Sequence, residues 1–204
     1  NAKKMFEIGY EEMLELASYG AKMPPRSIEL AAWYKVPVLV ASSSADIPGT
    51  LIHDVGFDGG DEMEISNKVR GVTYERDVAR ITIRGVPDSP GISARVFEPL
   101  TEANISVDTI VQNASEERLT DLSFTVERGD VRQAMDVTKR IATDIGATDC
   151  VANDHLGNVS IVGTGMQNAP GFASRMFRAL ADAPINIEMI TTSQIRITCI
   201  VDES

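Results

Sequence analysis

Two Pro-Gly steps, Pro90-Gly91 and Pro170-Gly171, stand where a strand-like run gives way to a helical pattern. A turn of that kind aims the unpaired N–H groups of a helix's first turn at one point. With the helix dipole, those groups favour an anion such as a small molecule's carboxylate. Gly91 and Gly171 let a ligand come close to the backbone. Asp88 stands beside the first turn, and Gln112 ends the following strand-like run. An acid and an amide near a carboxylate-binding helix end could together hold a free amino acid. A plain tight turn is the better reading of one such step alone; two in register leave the readings level.

Other reactive residue types form no constellation. Asp108, Asp121 and Asp154 are scattered, and acids beside strands are usually solvated. Ser42-Ser43-Ser44 has no histidine at a suggestive spacing and reads as a loop. His53 and His155 are solitary, so no metal site is expected. Met176 and Phe177 sit at helical positions that suit a core. No Gly-rich phosphate loop is present. The chain therefore carries no catalytic set of its own.

The elements that must position the two turns are themselves duplicated. Gly85/Gly165, Pro90/Pro170, Gly91/Gly171, Arg95/Arg175, Phe97/Phe177, Leu100/Leu180 and Ile105/Ile185 keep one offset without a gap. That is an internal repeat of a folded module. In the first copy, strands are expected at 69–74 and 78–84, with Ser89 as N-cap and Pro90 opening a helix lined by Ile92, Val96, Leu100 and Ala103. Strands at 106–112 and 119–127 follow, then a helix over 130–145 capped by Asp130, and a closing strand at Cys150. The order β-α-β-β-α-β is ferredoxin-like. The second copy has a strand at 159–162, a helix over 170–182 and strands at 186–192 and 195–201. It either lacks a second helix and last strand or borrows the strand near Val69 to complete its sheet. Upstream, helices are expected over 10–20 and 27–34, then a buried strand from Val36. These read as the tail of an α/β domain, and the Gly/Asp/Glu-rich stretch 54–67 reads as a linker.

Composition limits the partners. The 204 residues carry a net charge of -11 without any Lys/Arg-rich run, which disfavours a ferredoxin-like nucleic-acid binder. No apolar run approaches the roughly 18 residues of a membrane span, and no secretory leader is visible. Cys150 and Cys199 read as buried thiols rather than a disulfide.

Arg84-Gly-Val-Pro-Asp-Ser-Pro-Gly, Ile110-Val-Gln-Asn and Met189-Ile-Thr-Thr-Ser-Gln-Ile-Arg-Ile resemble the paired ACT domains of the aspartate kinase family, in its monofunctional or α/β-subunit class. Tyr10-Glu-Glu-Met-Leu-Glu-Leu-Ala, Arg26-Ser-Ile-Glu-Leu-Ala and Pro48-Gly-Thr-Leu-Ile resemble the end of that family's amino-acid-kinase domain. The resemblance implies an α+β chain of tandem ferredoxin-like βαββαβ (ACT) domains preceded by a kinase tail. Its implied divisions are kinase remnant 1–55, linker 56–67, first ACT domain 68–154 and an incomplete second one, 155–204. Effector contacts carried over by position are Asp88, Ser89, Pro90, Gly91, Ile92, Ser93, Ser106, Val107, Asp108 and Gln112. In the second copy they are Phe172, Ala173, Asn186, Ile187, Ser193 and Gln194. Lys22 matches a lysine that approaches the nucleotide.

The same resemblance implies an enzyme that phosphorylates aspartate with ATP and Mg, in the cytoplasm, under feedback by L-threonine or L-lysine. Assembly is expected as an ACT-mediated homodimer or as α2β2. The family's Lys-Phe-Gly-Gly motif and aspartate-binding residues are absent, so this piece is expected to bind no cofactor and catalyse nothing by itself. Met23-Pro24-Pro25 departs from the family's smoother apolar stretch, and Gln194 stands where relatives often carry Glu. The competing reading is a stand-alone ACT-type sensing or dimerisation subunit without catalysis.

Overall fold

The computed structural model describes residues 4–54, 69–113, 118–166 and 170–203; the expected linker at 56–67 lies outside them. In chain order the elements are β1 (Glu7–Gly9), α1 (Tyr10–Ser18), α2 (Pro25–Tyr34), β2 (Val38–Val40), β3 (Thr50–His53), β4 (Gly71–Pro87), α3 (Ile92–Glu102), β5 (Ile110–Gln112), β6 (Leu119–Val126), α4 (Val131–Ile145), β7 (Asp149–Val162), α5 (Phe172–Asp182), β8 (Ile187–Thr192) and β9 (Arg196–Asp202). They pack as two units that alternate along the sequence. One comprises residues 1–75 and 158–199, the other 76–157 and 200–204.

The second of these holds the first copy of the repeat. Its strands run in the order β5-β6-β4-β7, which is the ferredoxin-like order for a βαββαβ chain. Period-two alternation in β4 sends Ile81 and Ile83 inward and pairs them with Phe124 and Leu122 of β6. Ile92, Val96 and Leu100 of α3 and Ala134, Thr138, Ile141 and Ile145 of α4 are buried, as the 3.6-residue spacing predicts. The two strands expected at 69–74 and 78–84 are one continuous strand. The strand expected from Ser106 begins only at Ile110, although Asp108 N–H still donates to Thr125 O at 3.1 Å. The cap of α3 is Gly91, at φ +87°, and not Ser89; no side chain caps the helix. Asp130 does occupy the cap position of α4, without a side-chain hydrogen bond.

The other unit joins the second copy to the N-terminal elements. Residues 71–75 of β4 stand beside β7, followed by β9 and β8. The strand near Val69 therefore completes the second copy's sheet, in the same spatial order as the first. From Gly91 to Leu100 and from Gly171 to Leu180 the pattern of burial agrees at every position except Pro99/Ala179, so the repeat is one of structure as well as letters. The N-terminal elements form a small sheet, β1-β3-β2, with β1 parallel and β2 antiparallel to β3. Ile8, Leu16, Ile28 and Ile52 make its core. The strand expected to be buried from Val36 is instead exposed, with Leu39 at 64%. It is an edge strand with one neighbour, so only one side of its backbone is covered.

Cys150 and Cys199 are free thiols, Cys199 fully buried and Cys150 partly. Burial pushes the Cys199 thiol up from 9.0 to about 11. A thiol raised on folding contributes stability that is present below about pH 9 and lost as pH climbs through about 11. We expect the urea midpoint to fall between those pH values, and alkylation at pH 8 to reach Cys199 only after denaturation.

Candidate functional site

The two helix ends share a chemistry set by what is missing from them. Among the described residues, neither α3 nor α5 has a side-chain cap or an acidic residue in its first turn. The Ile92 N–H of α3 is taken by Ser89 O, so what each helix offers an outside acceptor is its positive dipole end and the N–H groups that follow the first one. Gly91 and Gly171 hold φ of +87° and +99°, which L side chains rarely adopt. A Cβ built on either glycine would meet nothing within 4 Å. The glycines are therefore required by backbone angle and border open space.

Around the first helix end, Ser93 Oγ donates to Gln112 Oε1 at 3.3 Å. That bond ties the first turn of α3 to the last residue of β5, two positions that the family resemblance named together as effector contacts. It fixes the Gln112 oxygen and leaves its amide N–H groups to donate elsewhere. Asp88 is exposed, and its N–H donates to Arg118 O at 2.8 Å. Ser89 O accepts from Ile92 N–H at 3.2 Å. Ser89, Pro90, Ser106 and Asp108 are exposed, and Thr109 Oγ1 donates to Asp108 Oδ2 at 3.2 Å. Two candidates belong to the core by their side chains. Ile92 is 5% exposed and Val107 packs against the same cluster, so only their backbone faces outward chemistry.

The second copy distributes its candidates differently. Phe172 is buried, with the Arg175 guanidinium 4.5 Å from its ring centroid. Ala173 and Ile187 are half-buried. Asn186 Nδ2 donates to Glu188 Oε1 at 2.9 Å, and Ser193 Oγ accepts from Ile195 N–H at 3.4 Å. Gln194 and Lys22 are exposed. The chain brings Ser93 and Gln112 together in one unit and places the second-copy residues and Lys22 in the other.

Two acids that sequence reasoning left as solvated have defined partners. Asp121 Oδ1 accepts from Gly85 N–H at 3.0 Å, at the irregularity that interrupts β4 between Ile83 and Val86 rather than in a turn after the strand. Glu12, given no role in the sequence and carried on the amphipathic helix α1, is 3% exposed and accepts from both Thr164 N–H and Thr164 Oγ1. The signal for Asp121 was Gly85 itself, a glycine with φ +65° where the β4 ladder is interrupted and an N–H needs an acceptor. Nothing local marks Glu12, whose partner lies 152 residues away. Among the described residues no group of His, Cys, Asp and Glu could hold a metal ion, and no helix is long and apolar enough to cross a membrane.

The duplicated ferredoxin-like module, each copy with a glycine-led first helix, defines an ACT-type domain, and the ACT-domain family matches residues 81–140 and 159–204. The aspartokinase of Pseudomonas aeruginosa is 42% identical over 203 residues, which are 99% of this chain and 48% of that protein. The regulatory subunit of aspartate kinase from Thermus thermophilus, solved ligand-free, aligns with TM-score 0.63 at 36% identity, over 67% of this chain and 89% of that one. Aspartokinase III of Escherichia coli, solved with lysine and aspartate, aligns with TM-score 0.68 at 25% identity, over 98% of this chain and 43% of that one. The chain belongs to the aspartokinase family and matches its ACT-containing regulatory part. It spans about half the length of the curated relatives it matches.

Proposed function

We propose that this chain is the feedback-sensing region of an enzyme that transfers the ATP γ-phosphate to the side-chain carboxylate of aspartate. The ligand sensed is an end-product amino acid, L-lysine or L-threonine. The observation that carries the reading is the pair of uncapped helix ends, one of them with Gln112 already oriented by Ser93. The effector carboxylate lies against the first-turn N–H groups of α3, Gln112 donates to it, and Asp88 or Asp108 receives the ammonium group. These are charge-assisted hydrogen bonds, stronger than neutral ones. The lysine complex of the E. coli relative supports an amino-acid effector. In the intact enzyme Lys22 approaches ATP with its Mg, the assembly is a homodimer through the ACT modules or α2β2, and the compartment is the cytoplasm.

Likeness to the Thermus regulatory subunit favours a second reading, a separate sensing subunit without catalysis. The α1, α2 and β1–β3 elements, which we read as the tail of a kinase domain, weigh against it. The intact mass of the natural protein separates the two. Isothermal titration with L-lysine and with L-threonine tests the sensing itself: saturable binding of one or both is expected, and absence of heat with each overturns the reading.

A further inference from the structure

The two copies differ in what holds the backbone around their paired Gly85 and Gly165, an irregularity within β4 in the first copy and the turn after β7 in the second. In the first copy Asp121, an acid of the same module, accepts from Gly85 N–H. In the second copy the turn is held from outside the repeat. Thr164, one residue before the counterpart of Gly85, gives both its N–H and its Oγ1–H to Glu12 Oε1, each at 2.8 Å. Glu12 belongs to α1. Its other oxygen, Oε2, faces Arg70 Nε at 3.3 Å, and Arg70 N–H donates to Val162 O at 2.7 Å. A carboxylate is buried at high cost unless it is fully paired, and this one is paired only while α1, Arg70 and the Thr164 turn keep their register.

The grip extends along one face of α1. Glu15 Oε2 lies 3.0 Å from Arg196 Nε, and the Arg196 guanidinium lies 3.8 Å from the Tyr19 ring. Beyond the helix, Ala21 N–H bonds to Leu16 O at 2.8 Å. Little slack therefore separates α1 from Lys22, the proposed nucleotide lysine. One short helix touches the strand-to-helix connection of the second copy at its N-terminal end and leads directly into Lys22 at the other.

We propose that Glu12 is the coupling residue that links the second module's turn to the nucleotide segment at Lys22. The inference rests on the effector reading above, taken at the helix end of the second copy, α5, which shares a unit with α1. Coupling between two sites is reciprocal and is typically worth 5- to 150-fold in affinity. The test therefore measures, in the full-length enzyme, the Kd of L-lysine and of L-threonine with and without a non-hydrolysable ATP analogue. In Glu12→Ala the ratio of the two Kd values should fall to within about twofold of one, while the effector Kd without nucleotide stays within about threefold of the unmutated value. Glu12→Gln, which keeps an acceptor, and Thr164→Val, which keeps the N–H, should give intermediate ratios. An unchanged ratio in Glu12→Ala overturns the inference; if that variant does not fold, unchanged ratios in both milder ones do so. An unmutated enzyme that binds an effector with a ratio of one overturns the coupling and spares the sensing. Failure of the unmutated enzyme to bind either amino acid overturns the sensing, and the coupling with it.

Discussion

Replacing Phe124 by alanine lowers the unfolding free energy by about 3–5 kcal/mol, the range for deleting a fully buried aromatic side chain. Phe124 is wholly buried on β6, opposite Ile81 on one side and Ile110 on the other. Its ring meets Phe97 of α3 edge-on, at 5.4 Å between centroids, an arrangement that adds about 0.5–1.5 kcal/mol beyond area burial. It therefore joins the helix that carries the candidate site to the middle of its sheet. Domains are stable by only about 5–15 kcal/mol, so the variant should unfold at much lower urea, as monitored by far-UV circular dichroism. A loss under about 1 kcal/mol would show that the helix and sheet do not depend on this contact.

Gly91→Ala should separate binding from stability. A methyl group at φ +87° carries a backbone cost of about 1–2 kcal/mol, and no neighbouring atom adds a clash. The same reasoning applies to Gly146, the C-cap of α4, which has φ +74° and equally open surroundings. Gly146→Ala therefore serves as the matched control, with a similar stability cost at a residue that is not among the proposed contacts. Effector affinity should drop roughly tenfold or more in Gly91→Ala, where the methyl stands in the path to the first-turn N–H groups, and in Gln112→Ala, which removes a donor to the carboxylate. Gly146→Ala should bind as the unmutated chain does. Equal loss in both glycine variants would assign the effect to stability, and unchanged affinity in Gly91→Ala and Gln112→Ala would remove the site.

The repeat was legible because its anchors are of the least replaceable kinds, glycines with positive φ and apolar residues at helical spacing. The ferredoxin-like order came with it, and the open helix ends were visible in the Pro-Gly steps. The start of α3 was misplaced by two or three residues because Ser89 and Pro90 look like a cap and a first turn, while Gly91 in the left-handed region takes the cap position. The strand from Val36 was expected to be buried because an apolar run carries no record of how many neighbours it has. Ser93 with Gln112 was half legible, as two polar residues in the right places whose bond depends on tertiary distance. Glu12 was not legible at all, since an acid on an amphipathic helix reads as solvent-facing until its distant threonine is known.

The alternation of the two units along the chain sets an order of events during folding. Residues 76–157 form most of one unit from a nearly unbroken segment, whereas residues 71–75 can pair with the end of β7 only after that entire segment has been made. Loop length adds little to equilibrium stability, about 0.6 kcal/mol per doubling, but contacts so far apart in sequence slow folding strongly. The inserted unit is thus expected to form early and the split one late, giving two refolding phases. On the ribosome, where chains grow by about 5–20 residues per second, the start of β4 waits on the order of ten seconds for its partners. Val72 and Tyr74, exposed even in the finished fold, pass that interval on a strand whose neighbours are not yet made, the kind of edge on which aggregation begins.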